Sequence, residues 1–218
     1  MSKRTLPSNA SVATEGQDGR LVAPAATRNA EALCDLLAQW APKAGRALEI
    51  ASGTGQHVSA FVQCLPNLIW QPTEVEVERI TSIKAYAADL PNVLDAVALD
   101  ATAQGWHTEF AGQDLIVLIN LVHLISWPET QMLVTETAQA LAPKGRFILY
   151  GPFKRSGQLT SDGDQRFHDA LVQQDAEIGY KNDEDIAALM RAQNLTVVGM
   201  VEMPANNLAF IAEKPGQK

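Results

Sequence analysis

Glu49, Glu74 and Asp100 are the acidic side chains that the first half of the chain offers for ligand chemistry, and each is expected at or just past the end of a short apolar strand. Glu49 lies in Leu48-Glu49-Ile50-Ala51-Ser52-Gly53-Thr54-Gly55-Gln56-His57, where strand 46–51 runs into small residues and then into a helix beginning near Gly55. A strand–glycine turn–helix unit brings a ligand close to bare backbone and aims helical N–H groups at it. A carboxylate beside that turn would repel a polyphosphate. It would attract a cation, or a ligand rich in hydroxyls and amines.

Glu74 follows the second strand, about 20 residues beyond the glycines, where a carboxylate can accept from both hydroxyls of a ribose. The third strand ends in Leu99-Asp100-Ala101-Thr102 and the fourth in Asn120-Leu121-Val122-His123. In a doubly wound sheet the ligand lies at such carboxyl ends, by the topological switch point. S-adenosylmethionine (SAM) fits this set, and with it methyl transfer. Ser52, Gly53, Thr54 and Gly55 would face its methionine part, Glu74 its ribose, Asp100 and Ala101 its adenine, and Asn120 and Leu121 its amino-acid end. Each residue also has a plainer reading: a tight turn without ligand, a helix N-terminal charge at Glu74, a loop-capping carboxylate at Asp100. A nicotinamide-dependent oxidoreductase is disfavoured, because its Gly-x-Gly-x-x-Gly fingerprint needs glycine where Val58 stands.

The elements that must hold these residues alternate. A helix is expected over 27–40, ended by Pro42, then strand 46–51, helix 56–65, strand 68–71 closed by Pro72, and helix 75–88. Strand 93–99, strand 114–119, helix 128–141, a turn at Pro143-Lys144-Gly145 and strand 146–150 follow. Helices near 164–174 and 183–193 precede strands 196–202 and 208–213, joined by a Pro204-Ala205-Asn206-Asn207 turn. The expectation is an α/β, Rossmann-like class I SAM-dependent methyltransferase fold: a mostly parallel seven-stranded sheet with a C-terminal antiparallel hairpin and helices on both faces. Residues 1–24 are expected to form a flexible arm or lid, and 25–218 a single domain.

The 218 residues carry a net charge of −8, with 46% hydrophobic and 19% charged side chains, enough for one α/β core. That charge argues against a nucleic-acid partner, whose phosphates call for the opposite balance. No apolar run is long enough to span a membrane, and the start lacks a secretory core, so a cytoplasmic location is expected. Cys34 and Cys64 read as free thiols without metal-ligand spacing.

The glycine turn resembles the general methyltransferase motif acidic-x-Gly-x-Gly-x-Gly, with Ala51 in place of the first glycine. More specifically, the 48–57 segment, Trp70-Gln71-Pro72, Leu149-Tyr150-Gly151-Pro152-Phe153, Met203-Pro204-Ala205-Asn206-Asn207-Leu208 and Arg28-Asn29 are similar to an uncharacterised methyltransferase-like family typified by methyltransferase-like protein 26. The resemblance spans roughly 25–213. It implies SAM as cofactor and a small-molecule or protein methyl acceptor that it does not identify. Glu74 stands where that family commonly has aspartate, and its extra methylene still reaches a ribose.

Methyl transfer draws on proximity and orientation, and needs a base only when the nucleophile arrives protonated. His123, just past the fourth strand, is the leading titratable candidate. Asn206 and Asn207 are candidates to line the acceptor pocket, against the plainer reading as turn residues. Arg28 and Asn29 could reach the SAM carboxylate. A SAM-binding or scaffold protein without turnover is the second reading, because no unmistakable base stands out.

Overall fold

In the computed structural model, which describes residue 7 and residues 10–216, the chain builds its elements in the expected alternation. A short hairpin, β1 (Thr14–Glu15) and β2 (Leu21–Val22), precedes α1 (Pro24–Trp40). Then come β3 (Gly45–Ile50), α2 (Gln56–Cys64), β4 (Leu68–Glu74), α3 (Val77–Ala87), β5 (Val97–Ala98) and β6 (Gln113–Ile119). The second half runs α4 (Trp127–Ala140), β7 (Leu141–Pro152), α5 (Asp162–Gln174), α6 (Asp183–Ala192), β8 (Thr196–Met203) and β9 (Asn207–Glu213).

The main sheet has seven strands in the order β5-β4-β3-β6-β7-β9-β8. The first five are parallel, and β9 and β8 join antiparallel. Chain order reverses between β3 and β6, which puts the switch point beside the glycine turn. Alternation along the strands sends Leu48, Ile50, Ile116 and Leu118 to a core under α4 and α6, and Ala47, Leu115 and Val117 to a core under α1 and α2. Glu49 shares the parity of Ala47 and so turns toward the α1–α2 side.

Helix starts follow local chemistry. Pro24 occupies the first turn of α1, and Ser126 and Glu129 cap α4 reciprocally, the Ser126 amide donating to Glu129 Oε2 at 2.6 Å.

Three expected boundaries are corrected. The second strand does not stop at Pro72: it continues to Glu74, with Pro72 in register against Glu49. Glu74 is therefore a strand-end residue, and α3 starts only at Val77. The third strand, expected over 93–99, is reduced to Val97–Ala98 plus one bridge from Val93 to Trp70. It is a sheet edge, and Leu94 and Asp95 turn outward to solvent. The Pro143–Gly145 turn is absorbed into β7 as an irregularity opposite β6, with Lys144 left-handed at φ 66°. The 14–22 hairpin was not signalled by composition.

Candidate functional site

The glycine turn is fastened before it meets any ligand. The Ser52 amide donates to the Thr73 carbonyl at 2.8 Å, and the Thr73 amide returns a bond to Ser52 Oγ at 3.1 Å. The Ser52 and Thr73 hydroxyls both donate to the Glu49 carbonyl, at 3.2 and 2.9 Å. These pairs lock the ends of β3 and β4 together. Ala51, Gly53 and Gly55 all adopt left-handed backbone, with φ of 53°, 58° and 92°. A Cβ on Gly55 would sit 2.8 Å from Ile83 Cα, so the close approach of α3, rather than a ligand, demands glycine there.

Glu74 completes this turn. Its Oε2 accepts from the Gly53 amide at 2.9 Å and its Oε1 from the Val75 amide at 2.7 Å. The carboxylate that sequence assigns to a ribose thus also holds the glycine turn in place.

Glu49 is different in kind. It is 1% exposed, and neither carboxyl oxygen hydrogen-bonds to any described residue. Ser52 lies nearby, but its hydroxyl hydrogen goes to the Glu49 main chain. Burial pushes the Glu49 carboxyl up to about 8, and the nearby Glu74 charge adds to it. A buried carboxyl left without donors is costly unless something charged or donating arrives to meet it.

Asp100 is half-buried and its Oδ1 accepts from the Thr102 amide at 3.0 Å and the Thr102 hydroxyl at 2.7 Å, an Asx turn at the end of β5. Ala101 is buried, and its carbonyl accepts from the Trp106 indole at 3.1 Å. Asn120 is left-handed at φ 56°, its amide bonded to the Tyr150 carbonyl at 2.9 Å, and Leu121 packs partly against the α4–α6 core. Arg28 is exposed, whereas Asn29 is buried and its Oδ1 meets His57 Nε2 at 2.8 Å. The Tyr150 hydroxyl also bonds to Asn29. Asn29 therefore ties α1 to α2 and β7 from inside. Burial pushes the His57 ring down to about 4, so it is neutral at pH 7.

On the acceptor side, His123 sits in a short turn, Val122–Leu124, wedged edge-on between Phe167 and Tyr180 with centroids at 5.7 and 6.2 Å. It is buried, and its Nδ1 has no described hydrogen-bond partner. Burial, with Lys181 adding to it, pushes the ring down to about 3. Asn206 is exposed and its amide points inward to Asp164 Oδ2 at 3.0 Å and Ser161 Oγ at 3.2 Å. The Asn207 amide closes its own turn on the Pro204 carbonyl at 2.9 Å. Tyr150 and Phe153, the aromatic candidates at the end of β7, are both core residues, Phe153 meeting Phe210 edge-on.

Sequence reading missed Asp164. It is buried, and Oδ2 also accepts from Thr160 and Ser161 hydroxyls at 2.6 and 2.7 Å, while Oδ1 accepts from the Tyr180 hydroxyl at 3.1 Å. Hydrogen bonds from Thr160, Ser161, Asn206 and Tyr180 hold its carboxyl below the usual range despite burial. Asp164 links the β8–β9 turn to the tyrosine that packs on His123. The signal was present as Ser161-x-x-Asp164, a helix-capping spacing. Among the described residues no three His, Cys, Asp or Glu side chains are grouped to hold a metal ion.

This sheet order and switch-point turn define the SAM-dependent methyltransferase fold, and solved structures share it. An O-methyltransferase family protein from Burkholderia thailandensis superposes with a TM-score of 0.75 at 16% identity, over 89% of this chain and 58% of its own. Human N-acetylserotonin methyltransferase in complex with SAM gives 0.70 at 13%, over 86% and 52%. A methyltransferase of calicheamicin biosynthesis, in its SAH-bound form, gives 0.67 at 14%, over 87% and 55%. The chain spans just over half the length of these structures. At the level of sequence, residues 20–214 match the family described as a protein of unknown function (DUF938), and the chain belongs to that family.

Proposed function

We propose that the chain is a SAM-dependent methyltransferase of the methyltransferase-like protein 26 type, acting on a small-molecule or protein acceptor. The observation that carries this reading is Glu49: a buried carboxyl with no partner, at the end of the strand beside a fastened glycine turn. SAM bears an ammonium group and hydroxyls that would satisfy such a set, and structural neighbours are described with SAM or SAH. Glu49 would meet the methionine part, Glu74 the ribose and Asp100 with Ala101 the adenine. Arg28, Asn29, Asn120 and Leu121 would border the amino-acid end.

When bound, SAM supplies an electrophilic methyl on a sulfonium. The chain's own contribution is binding, orientation and exclusion of water. His123, held neutral, would present a hydrogen-bonding ring on the acceptor side, and its low pKa makes it an orienting group rather than a strong base. Asn206 and Asn207 would shape the acceptor side indirectly, by fixing the hairpin and, through Asp164, Tyr180. Of the arm or lid expected over 1–24, residues 1–6, 8 and 9 lie outside the described residues; the described part is read as the cover, with Ser11 held by Arg79 beside the glycine turn at 2.6 Å and Ala10 packed beside the Leu171, Ile178 and Tyr180 cluster.

A scaffold that binds SAM without turnover is the second reading, favoured by the burial of His123 and the internal bonding of both asparagines. Calorimetric titration of SAM into wild type and Glu49→Gln, Glu74→Ala and Asp100→Ala tests the cofactor. An acceptor screen with labelled methyl groups then separates enzyme from scaffold. SAM binding that all three changes leave untouched contradicts the assignment.

A further inference from the structure

The chain has two cysteines, and the fold brings both together. Cys34 lies on α1 and Cys64 is the last residue of α2, and the two thiols are electrostatic neighbours of each other. Both residues are half-buried. Cys34 Sγ also lies 3.7 Å from the Ala60 carbonyl and Cys64 Sγ 3.4 Å from that of Phe61, which settles both sulfurs over the last turn of α2. Their proximity lowers the Cys64 thiol below its ordinary range and raises the Cys34 thiol above its own, which makes Cys64 the sulfur that attacks a disulfide. The pair takes no part in the proposed cofactor site.

We propose that Cys34 and Cys64 are a reversible dithiol–disulfide site whose oxidant is a low-molecular-weight disulfide. Cys64 thiolate attacks one sulfur of oxidised glutathione and expels one glutathione thiolate, leaving a mixed disulfide. Cys34, giving up its proton, then attacks the Cys64 sulfur and expels the second glutathione. Two protein S–H groups are lost, one S–S bond forms, and the glutathione disulfide is reduced to two thiols. The bond staples α1 to α2, which the buried Asn29–His57 pair and a Gln56–Thr27 hydrogen bond also join.

The native chain incubated with oxidised glutathione tests this directly. Titratable thiols should fall from two per chain to none. The mass should drop by two hydrogens without a glutathione adduct, the melting temperature should rise, and dithiothreitol should reverse all three. Cys34→Ser and Cys64→Ser should each stop at a stable glutathione adduct on the remaining thiol. Wild type that keeps both thiols, carries two glutathiones, or cross-links between chains overturns the proposal.

Discussion

Glu49 carries a pH signature of its own. Its carboxyl has an ordinary value near 4.5 and is pushed up to about 8 in the fold. Between those values the unfolded chain has released this proton and the folded chain has not, so stability falls as pH rises through that window. Urea unfolding at pH 5 and pH 8 should show that loss in wild type and a smaller one in Glu49→Gln. An ammonium group arriving beside Glu49 favours its ionised form. SAM binding should therefore release a proton near pH 7 and tighten as pH rises toward 8, and Glu49→Gln should abolish both; titration in buffers of different ionisation enthalpy reads the proton. Ala51 offers a second residue-scale prediction. It holds φ 53° where the general motif has glycine. Left-handed backbone costs a non-glycine residue about 1–2 kcal/mol, so Ala51→Gly should stabilise the protein by about 1 kcal/mol in thermal or chemical unfolding. The place of Glu49 at the strand end was legible from the local pattern. Its missing partners were not, because they depend on what β4, β6 and α1 bring alongside.

At the scale of elements, the β8–β9 hairpin is bound to the start of α5 by one side-chain amide. Asn206→Ala removes a donor from buried Asp164 and should cost about 1–2 kcal/mol, while leaving SAM affinity within a factor of two. Parallel denaturation and calorimetry on that variant distinguish an anchoring role from direct cofactor contact. Ser126→Ala, which removes one half of the α4 capping box, should cost about 1 kcal/mol in the same unfolding assay. Helix placement was legible because prolines, capping serines and apolar spacing act locally. Strand ends were less so: Pro72 read as a terminus, yet it pairs in register with Glu49, and Pro143 read as a turn, yet β7 runs through it. Both depend on neighbours far off in sequence.

For the whole molecule, the order of elements already implied the parallel sheet closed by an antiparallel hairpin, since alternating strands and helices leave few right-handed arrangements. The N-terminal segment was not legible, because its hairpin is held by distant groups: the Leu21 amide on Ser82 Oγ, Arg20 on the Ala85 carbonyl and over the Tyr86 ring. If residues 10–22 cover the ligand, limited proteolysis should cut this segment more slowly with SAM present; equal rates with and without SAM contradict a covering role.

The measurement that bears most directly on the account is SAM titration by calorimetry of wild type beside Glu49→Gln and Glu74→Ala. The expected result is micromolar binding to wild type and at least tenfold weaker binding to each variant, as the loss of a charged hydrogen-bonding partner requires. Folded wild type that binds no SAM, or variants that bind as tightly as wild type, would contradict it.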